Sequence, residues 1–211
     1  MTPPRLTVIT DWSRGQQRLL AAIERLSALG PRVAIQHRHP EAMGRLFLEE
    51  ARLLAEVCAR TGMPLFVNGR VDVALAVDAH LHLPAHGFSA EDVRPLLARD
   101  RWLSVAVHDA EEASRLTRAQ AEGGHVSFAL VSPVFGAGSK PGDTRTPLGA
   151  DGFSELARLL PCPAHALGGI TEKFAPALTG RAAGLAVVTA VLDAEDPLSA
   201  AETLLGMVAP A

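Results

Sequence analysis

Cysteine is scarce in this chain, which has only Cys58 and Cys162 among its 211 residues. The two residues form neither a CxxC pair nor a metal-binding spacing, so they predict buried free thiols of a reducing compartment. No apolar stretch approaches the roughly 20 residues needed to span a bilayer, and the first residues lack the basic and apolar regions of a signal peptide. These absences predict a cytoplasmic protein without a membrane partner.

An excess of positive charge is also missing. The net charge is -3 at pH 7 and the 20 lysines and arginines are scattered, so the chain offers no basic surface for nucleic acid. Its 48% of hydrophobic and 20% of charged residues are typical of a globular protein and exclude disorder or a fibrous repeat. Because no linker or low-complexity segment interrupts the chain, we expect one domain over residues 1–211.

Short apolar runs alternate with segments of helical spacing along the whole chain. The eight runs cover residues 5–10, 32–38, 65–68, 79–83, 102–108, 125–131, 163–168 and 184–189. Helical spacing is found between most of them, over residues 16–29, 41–61, 71–77, 89–99, 109–123 and 152–160. Continuous apolar strands with helical crossovers predict a parallel sheet buried on both faces, and eight such units favour a single (β/α)8 TIM barrel.

Polar residues gather where the apolar runs end, which in such a barrel is the end that carries the chemistry. They are Thr10, Asp11, Gln36, Arg38, His39, Asn68, His82, His86, His108 and Ser132. Gln36 and Arg38 are two residues apart and so share one side of a strand, where a guanidinium beside an amide suits a phosphate or diphosphate. The alternative is that Arg38 pairs with a carboxylate at the barrel rim.

Small-residue turns follow the last two runs and a glycine-rich segment follows the sixth. The turns ALGGIT (166–171) and AVVTA (186–190) let backbone NH groups approach an anion, which makes Gly168, Gly169, Val188 and Thr189 candidate phosphate ligands. The segment SPVFGAGSKPGDTRTPLGADG (132–152) carries Lys140. It is either a linker or a flap that closes over an anion.

The order of these motifs resembles the thiamine-phosphate synthase/TenI family almost from end to end. The similar segments are LTVITD (6–11), AIQHRHP (34–40), LFVNGRVDVALAV (65–77), SVAVHDAEEA (104–113), SPVFGAGSK (132–140), ALGGI (166–170) and GLAVVTAVL (184–192). The resemblance implies a (β/α)8 barrel of thiamine biosynthesis that binds a small phosphorylated thiazole or pyrimidine. It also makes self-association into a homo-oligomer an open possibility.

The resemblance implies roles for individual residues. Gly138, Ser139 and Lys140 fall on the family's diphosphate-binding loop, which favours the flap over the linker. The positions that bind the thiazole phosphate in the family correspond to the four candidate residues of the small-residue turns. The positions on the pyrimidine side of the family's site correspond to Gln36, Arg38 and Asn68.

Departures from the family pattern bear on the reaction. Two aspartates that hold Mg²⁺ in the synthases are replaced by Gly69 and, near the end of the fourth strand, Gly87, and a lysine is replaced by Pro40. TenI-like members lack these carboxylates and isomerise a thiazole carboxylate phosphate by moving a proton. We therefore predict a TenI-like tautomerase that needs no cofactor and no metal.

The acid/base residue is less directly indicated, because Ser132 stands where the TenI-like members have their catalytic histidine. His82, His108 and His165 lie on or near strand ends, and His108 is the best placed of them. The candidate catalytic residues are His108, His82 and Lys140.

Three alternatives stay open at this point. The protein can be a synthase that uses Mg²⁺ with a repositioned ligand such as Asp11 or Asp72, or a non-catalytic binder of thiazole or thiamine phosphate. A zinc site is a further alternative, because several histidines lie on or follow the second and fourth runs. They are His37, His39, His80, His82 and His86.

Overall fold

The fold is a closed barrel of eight parallel strands. A computed structural model describes residues 2–136 and 145–208 of the chain. Each strand pairs with its two neighbours in sequence order, and the last strand closes the barrel by pairing with the first, with Leu6 opposite both Val33 and Leu185. The predicted (β/α)8 barrel is thereby confirmed.

Every predicted apolar run contains one of the strands. The strands are β1 (Leu6–Ile9), β2 (Val33–His37), β3 (Leu65–Asn68), β4 (His80–Leu83), β5 (Leu103–Val107), β6 (Phe128–Val131), β7 (Ala164–Leu167) and β8 (Gly184–Val187). The α-helices are α1 (Gln16–Arg25), α2 (Gly44–Thr61), α3 (Val71–Ala76), α4 (Ala90–Val93), α5 (Ala110–Ala121), α6 (Gly149–Arg158), α7 (Thr189–Leu192) and α8 (Pro197–Met207). No helix of the described ranges is long and apolar enough to cross a membrane.

Two of the crossover segments contain little or no α-helix. The predicted helix over 89–99 ends as an α-helix at Val93 and continues as a 3-10 turn over Arg94–Leu96, which contains Pro95. Proline has no NH group and its ring clashes with the preceding turn, so a regular helix does not continue through it. Between β7 and β8 the helical structure is a 3-10 turn over Ala175–Leu178.

The alternation of side chains along the strands divides the apolar core into two parts. In β2, Val33 and Ile35 pack in the large cluster between barrel and helices, whereas Ala34 belongs to a smaller cluster inside the barrel. The inner cluster also contains Phe66 and Phe128, whose rings meet edge to face with centroids 5.5 Å apart. Because residues of the same parity in one strand share a side, the parity that points inward also sets which strand-end residues face the barrel mouth.

Candidate functional site

A cavity of about 960 Å³ opens at the carboxyl ends of the strands, and residues at or after the ends of all eight strands line it. Seven of the predicted site residues lie on its wall: Gln36, Arg38, Asn68, His82, His108, Gly168 and Val188. Gly169 and Thr189 follow two of these residues but do not line the cavity. Parity and strand order therefore bring most of the predicted residues together.

The predicted flap falls largely outside the described ranges. Gly138, Ser139 and Lys140 lie outside the described residues, so their assignment stays a prediction. The residues on either side of the gap are described, and Pro133 and Arg145 both line the cavity. The described chain therefore borders the cavity both before and after residues 137–144.

The first two strand ends are tied together beside the cavity. The hydroxyl of Thr10 accepts a hydrogen bond from the backbone NH of Arg38 at 2.9 Å and donates one to its carbonyl at 3.1 Å. Within residues 2–136 and 145–208, no carboxylate lies within ion-pair distance of the Arg38 guanidinium. The charge of Arg38 is therefore available to an anionic ligand of the cavity.

A histidine and a glutamate form a pair on the β5 side of the cavity. The carboxylate of Glu112 accepts hydrogen bonds from Nδ1 of His108 at 2.9 Å and from the His108 backbone NH at 2.7 Å. The Glu112 NH in turn donates to the Asp109 carboxylate at 2.8 Å, which caps α5. A carboxylate at Nδ1 fixes the ring orientation and stabilises its protonated form, so the pair is suited to proton transfer.

Three other histidines do not lie on the cavity wall. His165 is 2% exposed and stacks on Phe128 with ring centroids 4.3 Å apart, and its burial lowers its pKa to about 3. Burial likewise lowers the pKa of His80 and His37 to about 4. His165 is therefore placed too deep for the proton-transfer role that its position near a strand end suggested.

Comparison with known proteins identifies the family. A family model described as thiamine monophosphate synthase matches residues 6–191. The chain belongs to the thiamine-phosphate synthase/TenI family. It is 34% identical over 206 residues to a thiamine-phosphate synthase of Chloroflexus aurantiacus, covering 97% of this chain and 92% of the relative. It is 32% identical over 213 residues to that of Vibrio campbellii, covering 99% of this chain and all of the relative.

Solved structures agree with this membership. A thiamine phosphate pyrophosphorylase from Pyrococcus furiosus is 28% identical and superimposes with a TM-score of 0.78, covering 98% of this chain and 96% of that chain. A 3-hexulose-6-phosphate synthase, 18% identical with a TM-score of 0.68, shares the fold over 97% of this chain and all of that chain. This member of the thiamine-phosphate synthase/TenI family thus has the barrel of its family and belongs to thiamine biosynthesis.

The residues of this family member do not fit the Mg²⁺ site that the synthase pattern implies. Gly69 and Gly87 supply no side-chain ligand, and among the described residues no group of three histidines, cysteines or carboxylates can hold a metal ion. Asp11 accepts from the NH and hydroxyl of Ser13 at 3.1 and 2.6 Å and also pairs with Arg14.

Asp72, the second residue proposed as a repositioned Mg²⁺ ligand, also does not fit that role. Asp72 pairs with Arg70 at 2.6 Å, and that hydrogen-bonded pairing lowers the pKa of Asp72. Its side chain is 66% exposed, and it does not line the cavity.

Among the described residues, the histidines proposed as a zinc site do not form a group that could hold a metal ion. His80 lies inside the barrel, where its Nδ1 accepts from the Trp102 NH at 3.0 Å, and His37 packs at 4.0 Å against the ring of Phe47 on α2. His82, on the cavity wall, has its Nδ1 at 2.9 Å from the Ser104 hydroxyl oxygen. Structural contacts thus account for the positions of these three rings.

The two glycines after β7 are also required by packing. Gly169 has φ +62°, and a Cβ there would lie 2.5 Å from the Gly136 carbonyl oxygen and 2.7 Å from the Phe135 carbonyl carbon. The Phe135 NH donates to the Gly168 carbonyl at 2.9 Å, so the chain after β6 is held against this turn. The glycine pair thus positions the start of the predicted flap, whatever the turn also does for a phosphate.

Several residues of the cavity wall have no role in the family motifs used to predict the site. They are Trp12, Pro133, Arg145 and Glu112. Only Glu112 has a local signal, because Asp109 and Glu112 have the D-x-x-E spacing of a capping box. In this chain the glutamate reaches one residue further back, to His108, and thereby becomes part of the site.

Proposed function

We propose that this protein is a metal-independent isomerase of the TenI type, which binds a thiazole phosphate at the mouth of the barrel and moves a proton within it. The observation that carries the proposal is the His108–Glu112 pair on the wall of a cavity that lacks the two metal-binding carboxylates of the synthase pattern. A proton shift needs an acid/base group in contact with the ligand and needs no metal.

The wall of the cavity supports binding of a small anion. Arg38 supplies a positive charge, and the amides of Gln36 and Asn68 supply neutral donors and acceptors nearby on β2 and β3. For the phosphate itself we propose the turns after β7 and β8, where Gly168 and Val188 line the cavity and Gly169 and Thr189 follow them. Lys140, Ser139 and Gly138 would approach the same anion from the flap.

Proton transfer is proposed for the His108 imidazole. Glu112 holds the ring through Nδ1, and the ring lines the cavity, so a neutral ring would accept a proton from the ligand and a protonated ring would return one. His82 is the next candidate, since it lines the cavity and is oriented by the Ser104 hydroxyl. A hydroxyl partner gives less support to a protonated ring than a carboxylate does, which favours His108.

The names of the relatives favour a second candidate, a thiamine-phosphate synthase that joins an aminopyrimidine diphosphate to a thiazole phosphate. In that reaction diphosphate must leave, and Mg²⁺ normally neutralises it. Here Arg38, Arg145 and Lys140 would have to carry that task without the carboxylates at positions 69 and 87.

The experiment that tests the proposal runs both reactions on the same preparation. The purified protein is incubated with a thiazole carboxylate phosphate and followed by proton NMR, and separately with aminopyrimidine diphosphate, thiazole phosphate and Mg²⁺ and assayed for diphosphate. We expect isomerisation without added metal and no diphosphate release. Mg²⁺-dependent diphosphate release would establish the synthase, and calorimetric binding of thiazole phosphate without either reaction would establish a non-catalytic binder.

A pair of variants tests the role of His108. His108→Gln should reduce the isomerisation rate by about 100-fold or more, because loss of a general acid/base typically has that effect. His125→Gln is the matched control, since His125 is exposed and lies before β6, away from the barrel mouth. Equal rates for the two variants would contradict the assignment of His108.

A further inference from the structure

A second imidazole–carboxylate pair lies at the cavity, on the β2 side. The Nδ1 of His39 is 2.9 Å from each carboxylate oxygen of Glu50, a residue of α2. His39 lines the cavity with 20% of its side chain exposed, whereas the Glu50 side chain is only 5% exposed. The carboxylate is therefore behind the imidazole, which stands between it and the ligand space.

The surroundings of this pair hold the imidazole in place. The Trp12 ring is stacked on His39 with planes 9° apart and centroids at 5.9 Å. Trp12 is itself fixed, because its Nε1 donates to Nδ1 of His37 at 3.2 Å, and Nε2 of His37 donates to the Phe47 carbonyl at 3.1 Å. Neither the tryptophan nor the His39 ring can turn without breaking these contacts.

The Glu50 carboxylate depends on His39 for a hydrogen-bond donor. Nε2 of His37 lies 3.7 Å from Glu50, but His37 is fully buried, and burial lowers its pKa to about 4 and keeps it neutral near pH 7. A buried carboxylate without a donor is strongly unfavourable, so His39 must donate through Nδ1. With Nδ1 bound to Glu50, Nε2 is the nitrogen of His39 that can exchange a proton with a ligand. Among the described residues, Nε2 has no hydrogen-bond partner.

The two pairs lie on different walls of one cavity. His39 follows β2 and His108 precedes α5 at the end of β5, three strands further round the eight-stranded barrel. The cavity is lined by both rings and by Glu112. A ligand in it therefore has an imidazole backed by a carboxylate on two sides.

We propose that His39 is a second catalytic residue of the isomerisation, with Glu50 as its positioning residue; this rests on the proposed function. One imidazole in the neutral form takes a proton as a C–H bond of the ligand breaks. The electron pair of that bond moves into the thiazole ring system of the ligand. The other imidazole, protonated at the start, delivers a proton to the atom that forms the new C–H bond. The ligand gains and loses one proton, and exchange with water restores both rings.

A purely structural role is the competing explanation, since the pair also joins the chain after β2 to α2. The variant His39→Gln separates the two roles, because the glutamine amide can still donate to Glu50 but cannot transfer a proton. His39→Ala adds a second measurement, since it leaves space beside Glu50 for free imidazole. His125→Gln and His125→Ala are the matched controls on an exposed histidine.

The experiment measures kcat and KM for isomerisation of the thiazole carboxylate phosphate, with the unfolding midpoint of each variant recorded alongside. We expect kcat of His39→Gln to fall by about 100-fold or more while KM stays within about threefold. Added imidazole should raise the rate of His39→Ala in proportion to its concentration and leave His125→Ala unchanged. Glu50→Gln should lower kcat by a smaller factor, since it removes the charge that holds the ring and leaves the ring itself.

The outcomes distinguish this inference from the proposed function. A wild-type protein that isomerises the substrate, with His39→Gln retaining its kcat within about threefold, would overturn the role of His39 alone. Loss of kcat in His39→Gln without imidazole rescue of His39→Ala would also overturn it, since it would trace the effect to structure. A wild-type protein that does not isomerise the substrate would overturn both.

Discussion

Substituting Gly169 by alanine tests how the turn after β7 and the chain after β6 depend on each other. Gly169 has φ +62°, and an alanine Cβ would lie 2.5 Å from the Gly136 carbonyl oxygen and 2.8 Å from that of Phe135. All the close atoms are backbone atoms, so no side chain can rotate to make room. Either the turn or the segment over Phe135 and Gly136 must move.

The size of the effect follows from two contributions. A non-glycine residue at a left-handed φ costs about 1–2 kcal/mol, and overpacking against a fixed neighbour costs about 1–3 kcal/mol more. Gly180→Ala is the matched control, because Gly180 has φ +71° and nothing within 4 Å of its Cβ position. We expect a loss in the free energy of unfolding of about 2–5 kcal/mol for Gly169→Ala and of about 1–2 kcal/mol for Gly180→Ala.

Urea unfolding followed by the fluorescence of Trp12 and Trp102 measures both losses. Binding of thiazole phosphate, measured by calorimetry, should be weakened only by Gly169→Ala, because the displaced segment borders the cavity at Pro133. Equal losses of stability in the two variants would refute the reasoning, since they would leave only the strain at φ and no contact with the chain after β6.

Two further predictions follow from buried titratable groups. Burial lowers the pKa of His37 to about 4 and of His165 to about 3, whereas the value in an unfolded chain is about 6.5. Between the folded and the unfolded pKa values, the unfolded state therefore binds more protons than the folded state. The free energy of unfolding, measured in urea, should therefore fall as the pH drops from about 6.5 to about 4, by at most about 1.4 kcal/mol per pH unit for each ring, and a constant value would contradict this. Burial raises the pKa of Cys58 and Cys162 to about 12, so iodoacetamide should modify the native protein far more slowly than the urea-unfolded one. Equal rates would contradict the burial of Cys58 and the partial burial of Cys162.

The barrel could be predicted because its determinants are local. Each strand is a short apolar run, and strand parity predicts which residues face inward, so Gln36, Asn68 and His82 reach the mouth as their positions indicate. Strand parity does not predict how deep in the barrel a side chain lies. His165 has the same parity as Leu167, which lines the cavity, but it lies two residues earlier in β7 and is buried against Phe128.

The carboxylates that complete the site could not be predicted in the same way. Glu112 has the charge and position that favour the first turn of a helix, and this local role gives no reason to place its side chain on His108. Glu50 and His39 are 11 residues apart and meet only because α2 packs on β2. A helix pattern shows which face is buried but not which polar group of a neighbouring loop that face will meet.

The departures from the synthase pattern follow neighbouring strands of the barrel. Pro40, Gly69 and Gly87 follow β2, β3 and β4, which are consecutive strands, whereas the small-residue turns after β7 and β8 keep the family pattern. The side of the mouth that has lost a lysine and two carboxylates is also the side where His39 stands before Glu50. On the proposed function this distribution is expected, because the diphosphate and its metal would not be bound whereas the thiazole phosphate would. The His39 imidazole that Glu50 holds on this side would serve the proposed proton transfer, which needs no metal.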